Sequence, residues 1–197
     1  MKKLNVNFSK PSQQQLNSLI KYYQAGRYID AEKMSVSISQ EFPGHQFAWK
    51  VLAAVFKQTG RMSESLIASQ KSVQLEPQDS EAHYNLGVVL KELERLNEAE
   101  ASYRKAITLK PNYTEAHYNL GVTLKALGKL NEAEVSYRKA ITLKPDFTEA
   151  HNNLGVTLKA LGKLNEAEAS YRKAITLKPN YAEAHNNLGI ILKNLGR

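Results

Sequence analysis

The chain repeats itself every 34 residues, and that period limits the fold more than any local propensity does. Residues 80–113 read SEAHYNLGVVLKELERLNEAEASYRKAITLKPNY, residues 114–147 read TEAHYNLGVTLKALGKLNEAEVSYRKAITLKPDF, and residues 148–181 read TEAHNNLGVTLKALGKLNEAEASYRKAITLKPNY. A partial copy follows at 182–197. Two degenerate copies precede at 12–45 and 46–79, leaving 1–11 as a leader or an extension of the first helix. Punctuation survives in the degenerate copies. Gly26 and Gly60 stand where Gly128 and Gly162 stand, and Pro43 and Pro77 where Pro111, Pro145 and Pro179 stand.

Within one unit Ala116, Leu120, Leu124 and Leu127 recur at helical spacing, Gly128 interrupts, and Ala133, Tyr137, Ala140 and Ile141 recur before Pro145. The pattern reads helix, turn, helix, stop. A glycine just past an apolar run suits a left-handed C-terminal residue, and the proline ends the second helix. Neither helix buries its apolar face alone, so the pairs must stack. The expected fold is all-α, an α-solenoid of stacked antiparallel helix pairs over 12–197. Gly87, Gly121, Gly155 and Gly189 lie mid-helix, where glycine costs about 1 kcal/mol relative to alanine. Close approach of a neighbouring helix is the expected reason.

Leu120, Gly121, Ala133, Tyr137, Ala140 and Pro145 hold the seventh, eighth, twentieth, twenty-fourth, twenty-seventh and thirty-second places of their unit. This spacing resembles the tetratricopeptide repeat. Departures are few. Trp49 is the one tryptophan at the fourth place, with His83, His117, His151 and His185 there in later copies; Glu94 replaces a turn glycine; Ser18 and Leu19 replace the Leu-Gly pair of the first copy.

Little in the sequence suggests chemistry. There are no cysteines, which removes disulfides, thiol catalysis and thiolate metal sites. Equivalent histidines of successive copies sit on different helices, about 8–10 Å apart per helix contact, too far to share a metal at about 2.1 Å each. A hydrogen bond between helices is their expected role. Glu132 with Glu134, and Glu166 with Glu168, diverge around a helix and are expected to be solvated. No phosphate loop, nucleophile elbow or metalloprotease motif occurs, so neither catalysis nor a cofactor is expected. The net charge of +8 is shared evenly, +4 in 1–79 and +4 in 80–197, and the repeated Arg-Lys pairs are interleaved with glutamates, so no specific nucleic-acid recognition is expected. No apolar run reaches membrane-spanning length and none follows the basic start, so the expected location is cytoplasmic, without a membrane partner.

What remains is a surface. The second, fifth, sixth, ninth, twelfth and thirteenth places of the first helix share one stripe opposite its Leu-Gly face. The resemblance implies that this stripe lines a concave groove. It carries Glu81, Glu115, Glu149 and Glu183; Tyr84, Tyr118, Asn152 and Asn186; Asn85, Asn119, Asn153 and Asn187; Val88, Val122, Val156 and Ile190; and Lys91, Lys125, Lys159 and Lys193. The asparagines would form a ladder of amides able to meet the backbone of an extended peptide, similar to the ladder in the repeat arm of O-linked N-acetylglucosamine transferases. Tyr84 and Tyr118 mark the more aromatic end, where a hot spot is expected. The carboxylate clamp of chaperone-tail adaptors is not met: Lys50 and Asn85 match, but Ala54, Glu115 and Asn119 stand where asparagine, lysine and arginine belong.

The expected function is a scaffold that binds a protein or peptide segment in this groove. The succession of degenerate and then near-identical copies also resembles the N-terminal arm of larger bacterial proteins ending in a glycosyltransferase or sulfotransferase-like domain. The alternative is therefore a substrate-recruiting arm that continues beyond Arg197. Leu188, Ile191, Leu192 and Leu195 are expected to lie uncovered, a surface for self-association.

Overall fold

The computed structural model describes residues 10–197, which form eleven helices and no strand. The helices are α1 (Gln13–Gln24), α2 (Tyr28–Glu41), α3 (Gln46–Gln58), α4 (Met62–Leu75), α5 (Ser80–Glu92), α6 (Leu96–Leu109), α7 (Thr114–Ala126), α8 (Leu130–Leu143), α9 (Thr148–Ala160), α10 (Leu164–Leu177) and α11 (Ala182–Asn194). Of the leader, all but Lys10 and Pro11 lies outside the described residues. Those two do not extend the first helix. Ser12 opens α1 with a capping box: its hydroxyl accepts from the Gln15 backbone N–H at 3.2 Å, and the Gln15 side chain accepts from the Ser12 N–H at 2.8 Å.

The turns follow from backbone chirality. Gly60, Gly128 and Gly162 adopt φ of 76°, 75° and 76°, the left-handed region open to glycine. Glu94 keeps the same turn at φ 60° with a side chain attached, so that turn is strained. Second helices start without a side-chain cap, on Arg27, Arg61, Arg95, Lys129 and Lys163. A cation there opposes the helix dipole, and an acidic residue in each first turn offsets it, as in the Arg95–Glu98 pair at 2.6 Å.

The chain falls into two compact units, Met1–Leu93 and Glu94–Arg197. In the first, each of α1 to α5 packs on its neighbours in sequence; Leu19, Ala31, Ile38, Ala48 and Val55 form the core of α1 to α3, and Leu52, Ala53 and Ala68 that between α3 and α4. Leu19, in the copy that departs most from the pattern, is fully buried there. In the second, α6 to α11 pack in the same serial way, and α7 with α9 and α9 with α11 also meet. Its core joins leucine to tyrosine and alanine: Leu124, Leu158, Tyr137 and Tyr171 are fully buried with Ala133, Ala140, Ala167 and Ala174.

The mid-helix glycines make room for those rings. A Cβ on Gly121 would meet Tyr137 at 2.8 Å, and one on Gly155 would meet Tyr171 at 2.6 Å. The neighbour is the second helix of the same repeat. Gly189 in α11 has nothing within 4 Å. The last helix departs from expectation at one residue: Ile191 is fully buried, as Thr123 and Thr157 are at the same place, while Leu188, Leu192 and Leu195 are half-buried. No helix among the described residues is long and apolar enough to cross a membrane.

Candidate functional site

In the first unit the stripe forms a hollow of about 390 Å³. Ile20, Tyr23 and Gln24 of α1, Phe47, Lys50, Val51, Ala54 and Lys57 of α3, and Glu81 and Asn85 of α5 line it. These ten hold places named by the register: ninth, twelfth and thirteenth in the first copy; second, fifth, sixth, ninth and twelfth in the next; second and sixth in the third; Ala53, Ser69, Ser72, Ala82 and Val89, outside the stripe, complete the lining. The walls are mostly apolar. Lys50 bonds to Asp79 at 3.1 Å and to Glu81. Burial works against its charge, and the two carboxylates outweigh that, holding the ammonium above the usual lysine range. Lys50 therefore brings little net positive charge to an incoming carboxylate. Tyr84 is half-buried, and Lys91 pairs with Glu92 at 3.3 Å.

In the second unit the stripe runs over α7, α9 and α11, and its polar groups bond across helices. The Asn153 side chain donates to the Tyr118 hydroxyl at 2.9 Å, and the Asn187 side chain donates to the Asn152 carbonyl oxygen at 3.4 Å. The sixth place of one repeat is thus stitched to the fifth place of the one before. Asn153 and Asn187 each keep a second amide hydrogen and a carbonyl oxygen. Asn119 donates to the Glu115 backbone oxygen at 3.0 Å.

Asn152 does not fit the expected ladder. It is 2% exposed, accepts from Asn187 and donates to Glu183 at 2.9 Å, which uses its amide within the seam between repeats. Asn186, one repeat on, is exposed. Tyr118 is also partly committed: its ring centroid lies 4.7 Å from Phe147 and 6.0 Å from Tyr137, and burial pushes its phenol up from the ordinary value. The apolar cavity lies earlier in the chain than the expected hot spot, at Tyr23, Phe47 and Val51. The signal for it was present. The register applied to the degenerate copies names these residues, whereas the near-identical copies drew the reading to themselves.

Lys125 and Lys159 are half-buried and Lys193 is exposed; none of their ammonium groups makes an ion pair or hydrogen bond among the described residues. On the second helices each of three glutamates is held by two cations. Glu134 accepts from Arg138 at 2.9 Å and Lys163 at 2.8 Å, Glu100 from Arg104 at 3.0 Å and Lys129 at 2.8 Å, and Glu168 from Arg172 at 2.9 Å and Arg197 at 2.8 Å. Expected to be solvated, Glu134 is 9% exposed, because Lys163 reaches it from the next repeat. It does diverge from Glu132, which takes Arg104 instead.

The histidines hydrogen-bond as expected but to a different partner. Nε2 of His83, His117, His151 and His185 lies 3.0, 2.9, 3.0 and 2.8 Å from the carbonyl oxygen of the proline six residues back. Each ring therefore ties its helix to the loop that precedes it. Burial holds His117 below its ordinary value. No group of three or more histidine, aspartate or glutamate side chains among the described residues is placed to hold a metal.

Comparisons with known proteins agree with this architecture. Models described as TPR repeat match residues 89–128 and 157–196, and tetratricopeptide-repeat models match 114–147, 68–101 and 136–169. No curated protein matches significantly. Among solved structures, YrrB, a TPR protein with an unusual peptide-binding site, is 22% identical with a TM-score of 0.79, over 89% of this chain and 91% of that one. MamA from Desulfovibrio magneticus RS-1 is 17% identical with a TM-score of 0.79, over 86% and 96%. The first TPR of Spaghetti (RPAP3), bound to the HSP90 peptide SRMEEVD, is 28% identical with a TM-score of 0.59, over 61% of this chain and 95% of that one.

Proposed function

Given that this chain belongs to the tetratricopeptide-repeat family, we propose that it is a non-catalytic scaffold that binds an extended segment of a partner protein along the stripe of its first helices. The observation that carries this reading is the hollow in the first unit. Three successive repeats each contribute residues of the stripe to it, with an apolar lining of Ile20, Phe47, Val51 and Ala54 and with Asn85 beside them. A cavity of that size accepts one or two apolar side chains, and an adjacent amide can meet a peptide backbone. The peptide-bound RPAP3 repeat and the peptide-binding site of YrrB support the choice of ligand class. Its mode differs from a carboxylate clamp, because Lys50 is already held by Asp79 and Glu81.

The test is retention of peptides from an immobilised random dodecapeptide library. Ala54→Arg fills the hollow and Val156→Arg obstructs the stripe on α9. Each is expected to lower retention of its peptide set about tenfold while far-UV circular dichroism stays unchanged. Equal retention by both variants and the parent protein would overturn the groove.

A further inference from the structure

We propose that Lys125, Lys159 and Lys193 form a rail for an acidic partner segment in the polyproline II conformation, with a carboxylate at every third residue. The inference rests on the groove reading above and names the class of segment it takes.

Charge points to an acidic partner. Among the described residues of the second unit, Arg104, Lys129, Arg138, Lys163, Arg172 and Arg197 are each bound to a glutamate, and Lys144 and Lys178 lie over the rings of Phe147 and Tyr181 at 5.3 and 5.2 Å. The twelfth-place lysines have no such partner. Lys105, Lys139 and Lys173 are also unpaired, but they stand on second helices, outside the stripe, eight residues after the exposed Asn97, Asn131 and Asn165. Glu115 and Glu149 lie ten residues before the lysines on the same helices, about 15 Å away along the axis. Acidic side chains are therefore attracted to one edge of the stripe and repelled from the other.

Spacing selects the conformation. The Asn153–Tyr118 bond of 2.9 Å joins α9 to α7, and the Asn187–Asn152 bond of 3.4 Å joins α11 to α9. Packed helices lie about 8–10 Å apart, which sets the interval expected between equivalent lysines. A polyproline II segment advances about 3.1 Å per residue with three residues per turn, so every third side chain falls on one face at about 9.3 Å. A β-strand covers a similar distance in three residues but turns alternate side chains to opposite faces, so it cannot present every third carboxylate to one rail. Polyproline II also leaves its backbone carbonyls unbonded, free to accept the remaining amide hydrogens of Asn153 and Asn187. Val122, Val156 and Ile190, between the asparagine and lysine rows, suit proline or other apolar residues at the intervening places.

The test compares two labelled nonapeptides of one composition by fluorescence anisotropy. One carries glutamate at its first, fourth and seventh places with proline elsewhere; the other has its three glutamates together at one end. Three exposed ion pairs in register multiply to about tenfold tighter binding of the periodic peptide. Lys159→Gln, a substitution on a half-exposed side chain, is expected to lower that preference to about fivefold, one of the three equal factors being lost. Equal affinity for the two peptides would overturn the rail, since charge alone would then explain binding. Retention of neutral library peptides with no binding of either acidic one would overturn the rail and leave the groove standing. No retention of any peptide by the parent protein would overturn both.

Discussion

Replacing Gly155 by alanine tests the packing argument against helix propensity, because the two predict opposite signs. An alanine in a helix interior is worth about 1 kcal/mol over glycine. At Gly155 the added Cβ would stand 2.6 Å from Cε1, 2.8 Å from Cδ1 and 2.9 Å from Cζ of Tyr171. That ring is fully buried between helices. Overpacking of this kind costs about 1–3 kcal/mol, so the net effect is a loss centred near 1 kcal/mol. For a chain of this length that lowers the thermal midpoint by about 2–4 °C. Gly189 holds the same place of its repeat with nothing within 4 Å. Gly189→Ala therefore keeps the propensity gain, seen as slower amide exchange in α11 and a midpoint that is unchanged or raised. Thermal unfolding followed by far-UV circular dichroism reads both variants, with Gly121→Leu as a harsher version of the first. A Gly155→Ala protein that gains as much as Gly189→Ala would refute the claim that the tyrosine requires the glycine.

Two further outcomes follow from the same structure. Glu94→Gly should raise the midpoint by about 2–4 °C, because the side chain at φ 60° costs about 1 kcal/mol that glycine avoids; no change would mean that the turn is unstrained. Hydrogen bonds from Lys163, and then Arg138, hold the Glu134 carboxyl below the ordinary glutamate range. A depressed folded value means that the unfolded chain binds more protons in that window, so this contribution is present above the ordinary glutamate range and is lost as pH falls through the folded value. Glu134→Gln is expected to lower stability by about 1 kcal/mol at neutral pH and to flatten the acid limb of the stability curve. Parallel curves for the two proteins, measured by denaturant titration, would refute the pairing.

The fold was legible because its signals are local. Glycine at the fifteenth place and proline at the thirty-second act through backbone geometry alone, and the 3.6-residue recurrence of Leu120, Leu124 and Leu127 needs no partner to be recognised. Which residues share one stripe of the first helices was legible for the same reason, since a common face of a helix is a matter of spacing. Charge pairing between repeats was not. Lys163 reaches Glu134 across 29 residues of sequence, and only the stacking of α8, α9 and α10 makes them neighbours.

The sequence by itself thus determined the eleven helices of the described residues, their serial antiparallel order and which residues share the stripe on the first helices, because a near-exact repeat of 34 residues imposes one solution on every copy. Tertiary structure decided how each stripe residue is used. It turned Asn152 into the seam, tied Asn153 to Tyr118, neutralised Lys50 and left Lys125, Lys159 and Lys193 unpaired. Those roles depend on which side chains of successive repeats come within hydrogen-bonding reach, a distance set by helix packing that identical letters in identical register do not encode.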